Sequence, residues 1–188
     1  MRRVAVAATL AGLAALPVCA QTSQERLTVC LTCHGEKGQS ENPEVPSLGA
    51  QPAFYLLIQL YMFRERQRVV EVMNEATKAL TDDELRNLAD IVSKLPPPAP
   101  VEGPADDARM ERARVLIQQH RCNFCHRNLT GRENVPRLAG QREDYLSKTL
   151  HEYKTNIRRG YDASMAEVMY PLNDAQILDL AYFIARAR

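Results

Sequence analysis

The run Cys30-Leu31-Thr32-Cys33-His34 returns as Cys122-Asn123-Phe124-Cys125-His126, and these two C-x-x-C-H motifs restrict what the chain can fold into more than any other feature. On a helix, residues three and four apart share a face, so both thiols and the imidazole of each motif project the same way. Two thiols can then form thioethers with the two vinyl groups of one porphyrin while the histidine turns toward its iron, the attachment chemistry of a c-type haem. Thiol oxidoreductases and zinc ribbons also use C-x-x-C, but a zinc site would draw on four cysteines together and needs no histidine after each pair. The motifs therefore predict two covalently bound haem c groups on Cys30, Cys33, Cys122 and Cys125, with His34 and His126 as iron ligands.

The repeat runs beyond the motifs. Val45-Pro46-Ser47-Leu48-Gly49-Ala50-Gln51 is answered by Val135-Pro136-Arg137-Leu138-Ala139-Gly140-Gln141, Tyr55-Leu56 by Tyr145-Leu146, and Leu80-Thr81-Asp82 by Leu172-Asn173-Asp174. This is an internal duplication of roughly ninety residues. Between the copies, residues 96–104 hold five of the eleven prolines and predict a semi-rigid extended spacer outside either core. The expected organisation is an N-terminal domain at 21–95, a linker at 96–104 and a C-terminal domain at 105–188. Apolar burial alone is often marginal for a domain of this size, and a covalently held porphyrin would complete each core.

The fold class expected is all-α, with two tandem domains each wrapped round one covalently attached haem. Thr22-x-x-Glu25 reads as a capping box opening the helix to His34, and Asp106 or Asp107 can cap an equivalent helix running to His126. A middle helix follows Gln51 and Gln141. The last helix of each copy starts at Thr81-x-x-Glu84 or Asn173-x-x-Gln176, with Leu85, Leu88, Val92 and Leu95, or Ile177, Leu180, Ala181 and Ile184, as its buried stripe.

The fifth cysteine, Cys19, belongs to a different signal. Arg2 and Arg3 precede an apolar run from Val4 to Leu16, and Val18-Cys19-Ala20 suits a signal peptidase, so residues 1–20 read as a cleaved signal peptide and the mature chain as periplasmic. The run is shorter than a bilayer span, and the bulky Val18 disfavours lipidation at Cys19. Without the leader, 22 basic residues face 23 acidic ones, which gives no electrostatic case for nucleic acid. Residues 21–97 carry net −3 and residues 98–188 net +2, a dipole that can orient in a partner's field.

Each iron needs a second axial ligand. Met73 stands seven residues before Leu80 and Met165 seven before Leu172, so the duplication aligns the two methionines as it aligns the motifs. A thioether favours ferrous iron and raises the potential. His120, just ahead of its motif on the same predicted helix, and His151, aligned with Tyr61, are weaker candidates. Pro46 and Pro136 carry carbonyls that can accept the Nδ1–H of the two motif histidines.

Cys-x-x-Cys-His-Gly-x-x-Gly-x-Ser at Cys30 to Ser40, the Pro-x-Leu-x-x-Gln boxes, the two methionines and the terminal Leu-Thr-Asp and Leu-Asn-Asp helices together resemble the two-haem cytochrome c4 group of class I cytochromes c, over nearly the whole mature chain. The resemblance implies two cytochrome c folds related by a pseudo-twofold axis, carrying electrons in the bacterial periplasm to a terminal oxidase or another acceptor. Filled axial positions leave no open iron, so outer-sphere electron transfer is the expected function. A cytochrome subunit docked on a dehydrogenase, like the partner of flavin-containing sulfide dehydrogenases, is the alternative, and a haem peroxidase ranks below both. The first middle helix also carries Phe54, Leu57, Ile58, Tyr61 and Met62 where the second has Asp144, Ser147, Lys148, His151 and Glu152. Those five positions form a second apolar stripe, an expected docking or dimerisation surface for a redox protein partner.

Overall fold

Capping residues fix where the main helices start. In the computed structural model, which describes residues 22–159 and 163–188, Thr22 opens α1 (Ser23–His34): its hydroxyl accepts from Glu25 N–H while the Glu25 carboxylate accepts from Thr22 N–H. Thr81 and Asn173 build the same reciprocal box before α4 (Asp82–Ser93) and α9 (Asp174–Arg186), each box contributing about 1 kcal/mol. The leader lies outside the described residues. Among them no strand forms beyond an isolated bridge between Arg132 and Val135.

The middle helices are α2 (Ala53–Arg64) and α7 (Glu143–Lys154), and each is followed by a short helix that sequence periodicity is too brief to reveal. These are α3 (Glu71–Thr77), which carries Met73, and α8 (Ser164–Met169), which carries Met165. The predicted continuous helix from Asp106 to His126 is corrected. Asp106 caps α5 (Asp107–Gln119), but Arg121 is left-handed at φ 52°, and Cys122–His126 form a separate short α6. His120 is therefore the C-cap of α5 and not a helical neighbour of the motif.

Leu85, Leu88 and Val92 of α4 pack with Leu27 of α1, Leu56 of α2 and Leu80 into one buried cluster; Leu95, just past the helix end, covers its edge half-buried. In the second copy, Ile177, Leu180, Ala181 and Ile184 of α9 pack with Leu116 and Ile117 of α5 and Leu146 and Leu150 of α7. Each buried leucine or isoleucine contributes roughly 1.5–3 kcal/mol, so the stripes hold α4 and α9 as the spines of their groups.

The α5–α9 pair has an added ionic latch. The buried Asp179 carboxylate accepts from Arg109 Nε at 3.0 Å and Arg112 Nε at 2.6 Å. The Arg112 guanidinium, with Arg109 assisting, holds this carboxyl below the usual carboxylate range. A depressed folded-state pKa gives stability that is present above the unfolded value and lost as pH falls through the folded one. Asp179→Asn should thus lower stability by about 1–3 kcal/mol at neutral pH, with the deficit shrinking below roughly pH 4. Paired thermal melts at neutral and acid pH check this, and a deficit that does not change with pH would exclude the ionic account.

The proline segment forms no helix and is packed, which corrects the picture of a spacer standing clear of the cores. Pro98 is buried, Ala50 N–H donates to Leu95 O at 2.9 Å, and Val101 N–H donates to Ala185 O at 2.9 Å. At Gly49 an added Cβ would fall 1.9 Å from Pro96 O, so only glycine permits this approach.

Candidate functional site

Both motif histidines end buried at the close of their helices. His34 Nδ1 lies 2.8 Å from Pro46 O, and His126 Nδ1 lies 2.9 Å from Pro136 O. A carbonyl can only accept, so in each ring Nδ1 carries the proton and Nε2 keeps its lone pair for a metal. Burial pushes both imidazoles below the usual histidine value, and the carbonyl bond only partly opposes it. Two oriented imidazoles result, each with Nε2 free to serve a metal.

In the first copy the holding loop is pinned by a small polar network. Ser40 N–H donates to Ser47 Oγ at 3.1 Å, Ser40 Oγ donates to Cys33 O at 3.2 Å, and Asn42 Nδ2 donates to Cys33 O at 2.8 Å. The chain leaves His34 through Gly35 at φ 84°, where a Cβ would meet Gln39 O at 1.9 Å. The second copy has no glycine there. Arg127, Asn128 and Leu129 are all left-handed, at φ 48°, 51° and 66°, costing roughly 1 kcal/mol or more each. The same fold around the histidine is bought here with backbone strain.

The four motif cysteines are free; Cys30 and Cys122 are half-buried, and Cys33 and Cys125 exposed. Burial raises the Cys30 and Cys122 thiols above their ordinary value. Among the described residues no three His, Cys, Asp or Glu side chains gather as a shared zinc site would require. Met73 and Met165 are both half-buried, and Met165 packs against the C-terminal core. Met73 is anchored by its neighbour: buried Asn74 donates to Phe63 O at 2.6 Å and Arg68 O at 2.9 Å, and its Oδ1 accepts from Val70 N–H. Ala166 takes that place in the second copy. His151 is exposed, with Nδ1 3.5 Å from Asp174.

Where the copies meet, two arginines to which the sequence assigns no role surround Tyr145. Buried Arg158 donates to Tyr145 Oη at 3.0 Å and Thr149 Oγ1 at 3.1 Å, and Arg68, its repeat equivalent, approaches the same Tyr145 Oη at 3.4 Å. Burial raises the Tyr145 phenol, but the two guanidiniums outweigh that and bring it below the ordinary tyrosine range. Burial pushes Tyr55 up. Arg158 Nε is buried with no hydrogen-bond partner, an orphaned cationic donor that calls for an anion. The common spacing of Arg68 and Arg158 from Gln51 and Gln141 was the available signal. A haem c brings vinyl groups, an iron and two carboxylates; the free thiols, the Nε2 lone pairs left over from the carbonyl bonds and the orphaned guanidinium match these, so the residues fit the group.

The apolar stripe on α2 is only partly a surface. Phe54 is 56% and Tyr61 44% exposed, while Leu57 and Ile58 are half-buried and Leu57 packs on the N-terminal core. Met62 is corrected: it is 6% exposed, because the chain after α2 folds back over it and its carbonyl accepts from Gln67 and Arg68 N–H.

No family model matches the chain. Its sequence is 31% identical over 141 residues to cytochrome c4 of Thiocapsa roseopersicina, covering 69% of this chain and 71% of that protein. The crystal structure of reduced recombinant cytochrome c4 from Pseudomonas stutzeri is similar with a TM-score of 0.78 at 26% identity, over 88% of this chain and 97% of the other. Thiosulfate dehydrogenase TsdBA from Marichromatium purpuratum is similar with a TM-score of 0.72 at 25% identity, over 85% of this chain but 36% of its own.

Proposed function

The chain belongs to the cytochrome c4 family, a two-haem electron-transfer c-type cytochrome of two all-α domains, and from that premise we propose that it moves electrons by outer-sphere transfer between a respiratory donor and a terminal oxidase or other acceptor in the periplasm. The observation that carries the reading is the repeated histidine clamp, Nδ1 on a proline carbonyl in both copies. Haem supplies the one-electron chemistry. The chain's part is to fix each imidazole in its ligand tautomer, keep it dry, and offer Met73 and Met165 as the residues that would complete the hold on each iron. With a histidine and a methionine holding each iron, none would be open to substrate. Residues 21–95 and 105–188 form the two domains, and 1–20 is the export signal. No helix among the described residues is long and apolar enough to cross a membrane.

An optical spectrum with and without carbon monoxide tests the proposal. Two low-spin haems that ignore the gas, with a methionine-to-iron charge-transfer band, are expected. A haem that binds carbon monoxide at once would transfer that domain to the enzyme class.

One observation favours a second reading, a subunit or module docked on a dehydrogenase. The similarity to TsdBA spans 36% of that longer chain, so a unit of this shape stands there beside further sequence. Phe54 and Tyr61, exposed at the N-terminal domain, are the residues such a partner, or a second copy of this chain, would cover.

A further inference from the structure

The peptides that hold the two histidines are each gripped by a glutamine from the other copy. Gln141 Oε1 accepts from Ser47 N–H at 2.8 Å, and its Nε2 donates to Ser47 O at 2.8 Å. Gln51 does the same to Arg137, with Oε1 accepting at 3.0 Å and Nε2 donating at 2.9 Å. Both glutamines are buried, at 6% and 5% exposure. Each amide meets an N–H and a C=O of the other copy, which fixes its orientation, and Gln141 Oε1 also accepts from Arg142 N–H of its own copy at 3.0 Å. Gln51 and Gln141 close the matched boxes, and Ser47 and Arg137 follow the matched prolines, so the contact is isologous: Gln51 grips Arg137 as Gln141 grips Ser47.

The gripped peptide is the one that holds the ligand. Peptide 46–47 accepts from His34 through its Pro46 oxygen and donates to Gln141 through its Ser47 N–H; peptide 136–137 stands in the same way between His126 and Gln51. An amide whose N–H is donated becomes a stronger acceptor at its oxygen, because hydrogen bonds in series polarise one another. A stronger acceptor draws on the Nδ1–H and makes the imidazole a more basic ligand, which favours ferric iron.

We infer that Gln141 and Gln51 are positioning residues that lower the reduction potential of the haem in the opposite domain, so that each domain sets part of the other's potential. The inference rests on the proposed reading that His34 and His126 ligate the two irons. It also gives the domain junction a function beyond cohesion: loosening of the junction would raise both potentials together.

The test is potentiometry of the two-haem protein, with each haem assigned by proton NMR, on Gln141→Met and Gln51→Met. Methionine keeps length and apolar bulk and removes both hydrogen bonds. Gln141→Met should raise the potential of the His34 haem, a shift of about threefold in its reduction equilibrium, and move the His126 haem less; Gln51→Met should do the reverse. Gln141→Glu keeps an acceptor oxygen toward Ser47 N–H and should hold the His34 haem at or below its native potential. A shift confined to the variant's own domain, equal shifts in both haems, or an upward shift with Gln141→Glu overturns the inference. So does a methionine variant that fails to fold, if Gln141→Glu folds and its His34 haem moves upward. A haem count of two with methionine ligation in the unaltered protein is read separately and tests the functional proposal alone.

Discussion

Met73→Ala is expected to convert one haem, and only one, to a high-spin or ligand-exchanged form, with its potential lowered by on the order of a few tenths of a volt. Met165→Ala should do the same to the other. The motive is positional: each methionine stands seven residues before the leucine that precedes a capping box, and each sits half-buried on the short helix after the middle helix of its copy. Loss of the charge-transfer band at half its intensity, with one of two potentiometric waves displaced, is the measurement. If Met73→Ala leaves both haems methionine-ligated, the repeat alignment is wrong. Met62 would be a poor replacement, because it is buried with its sulfur 4.0 Å from Gln59 Nε2.

The second large effect concerns folding. Cys30→Ser or Cys122→Ser should weaken or abolish covalent attachment of one haem and leave that domain poorly packed. A porphyrin buries several hundred Å² of apolar surface, which at ~25 cal/mol per Å² is on the order of 10 kcal/mol, comparable with the whole stability of a small domain. The other domain should keep its haem, since α4 and α9 each organise a separate buried cluster. The junction adds a cost to both: loss of one domain removes a glutamine grip from the other's histidine loop. The surviving haem should therefore remain attached but titrate at a raised potential. Haem stain on denaturing gels and circular dichroism of the purified variants read the two effects. Loss of both haems at native protein yield would mean that the two copies fold as one unit.

How far the sequence alone could reach depended on the range of the interaction. The C-x-x-C-H motifs, the capping boxes at Thr22, Thr81 and Asn173, and the stripes on α4 and α9 were all legible, because each is written within one or two helical turns. Pro46 and Pro136 were legible because the duplication displayed them twice. What lay beyond was of two kinds. Local backbone choices with no side-chain signature, such as the left-handed Arg121 that parts α5 from α6, are decided by how the loop must pack. Partnerships across the repeat were hidden as well: Gln51 with Arg137 is separated by 86 residues and Gln141 with Ser47 by 94, and nothing within either box names its partner. The same holds for Met62, whose apolar character on an amphipathic face reads as surface until the turn after α2 covers it. The sequence by itself determined which residues can hold two haems, since thioether and imidazole chemistry is a matter of residue type and short spacing. Only the tertiary structure decided that each histidine's supporting peptide is completed by the other domain, because a backbone N–H carries no identity until the fold brings it a partner.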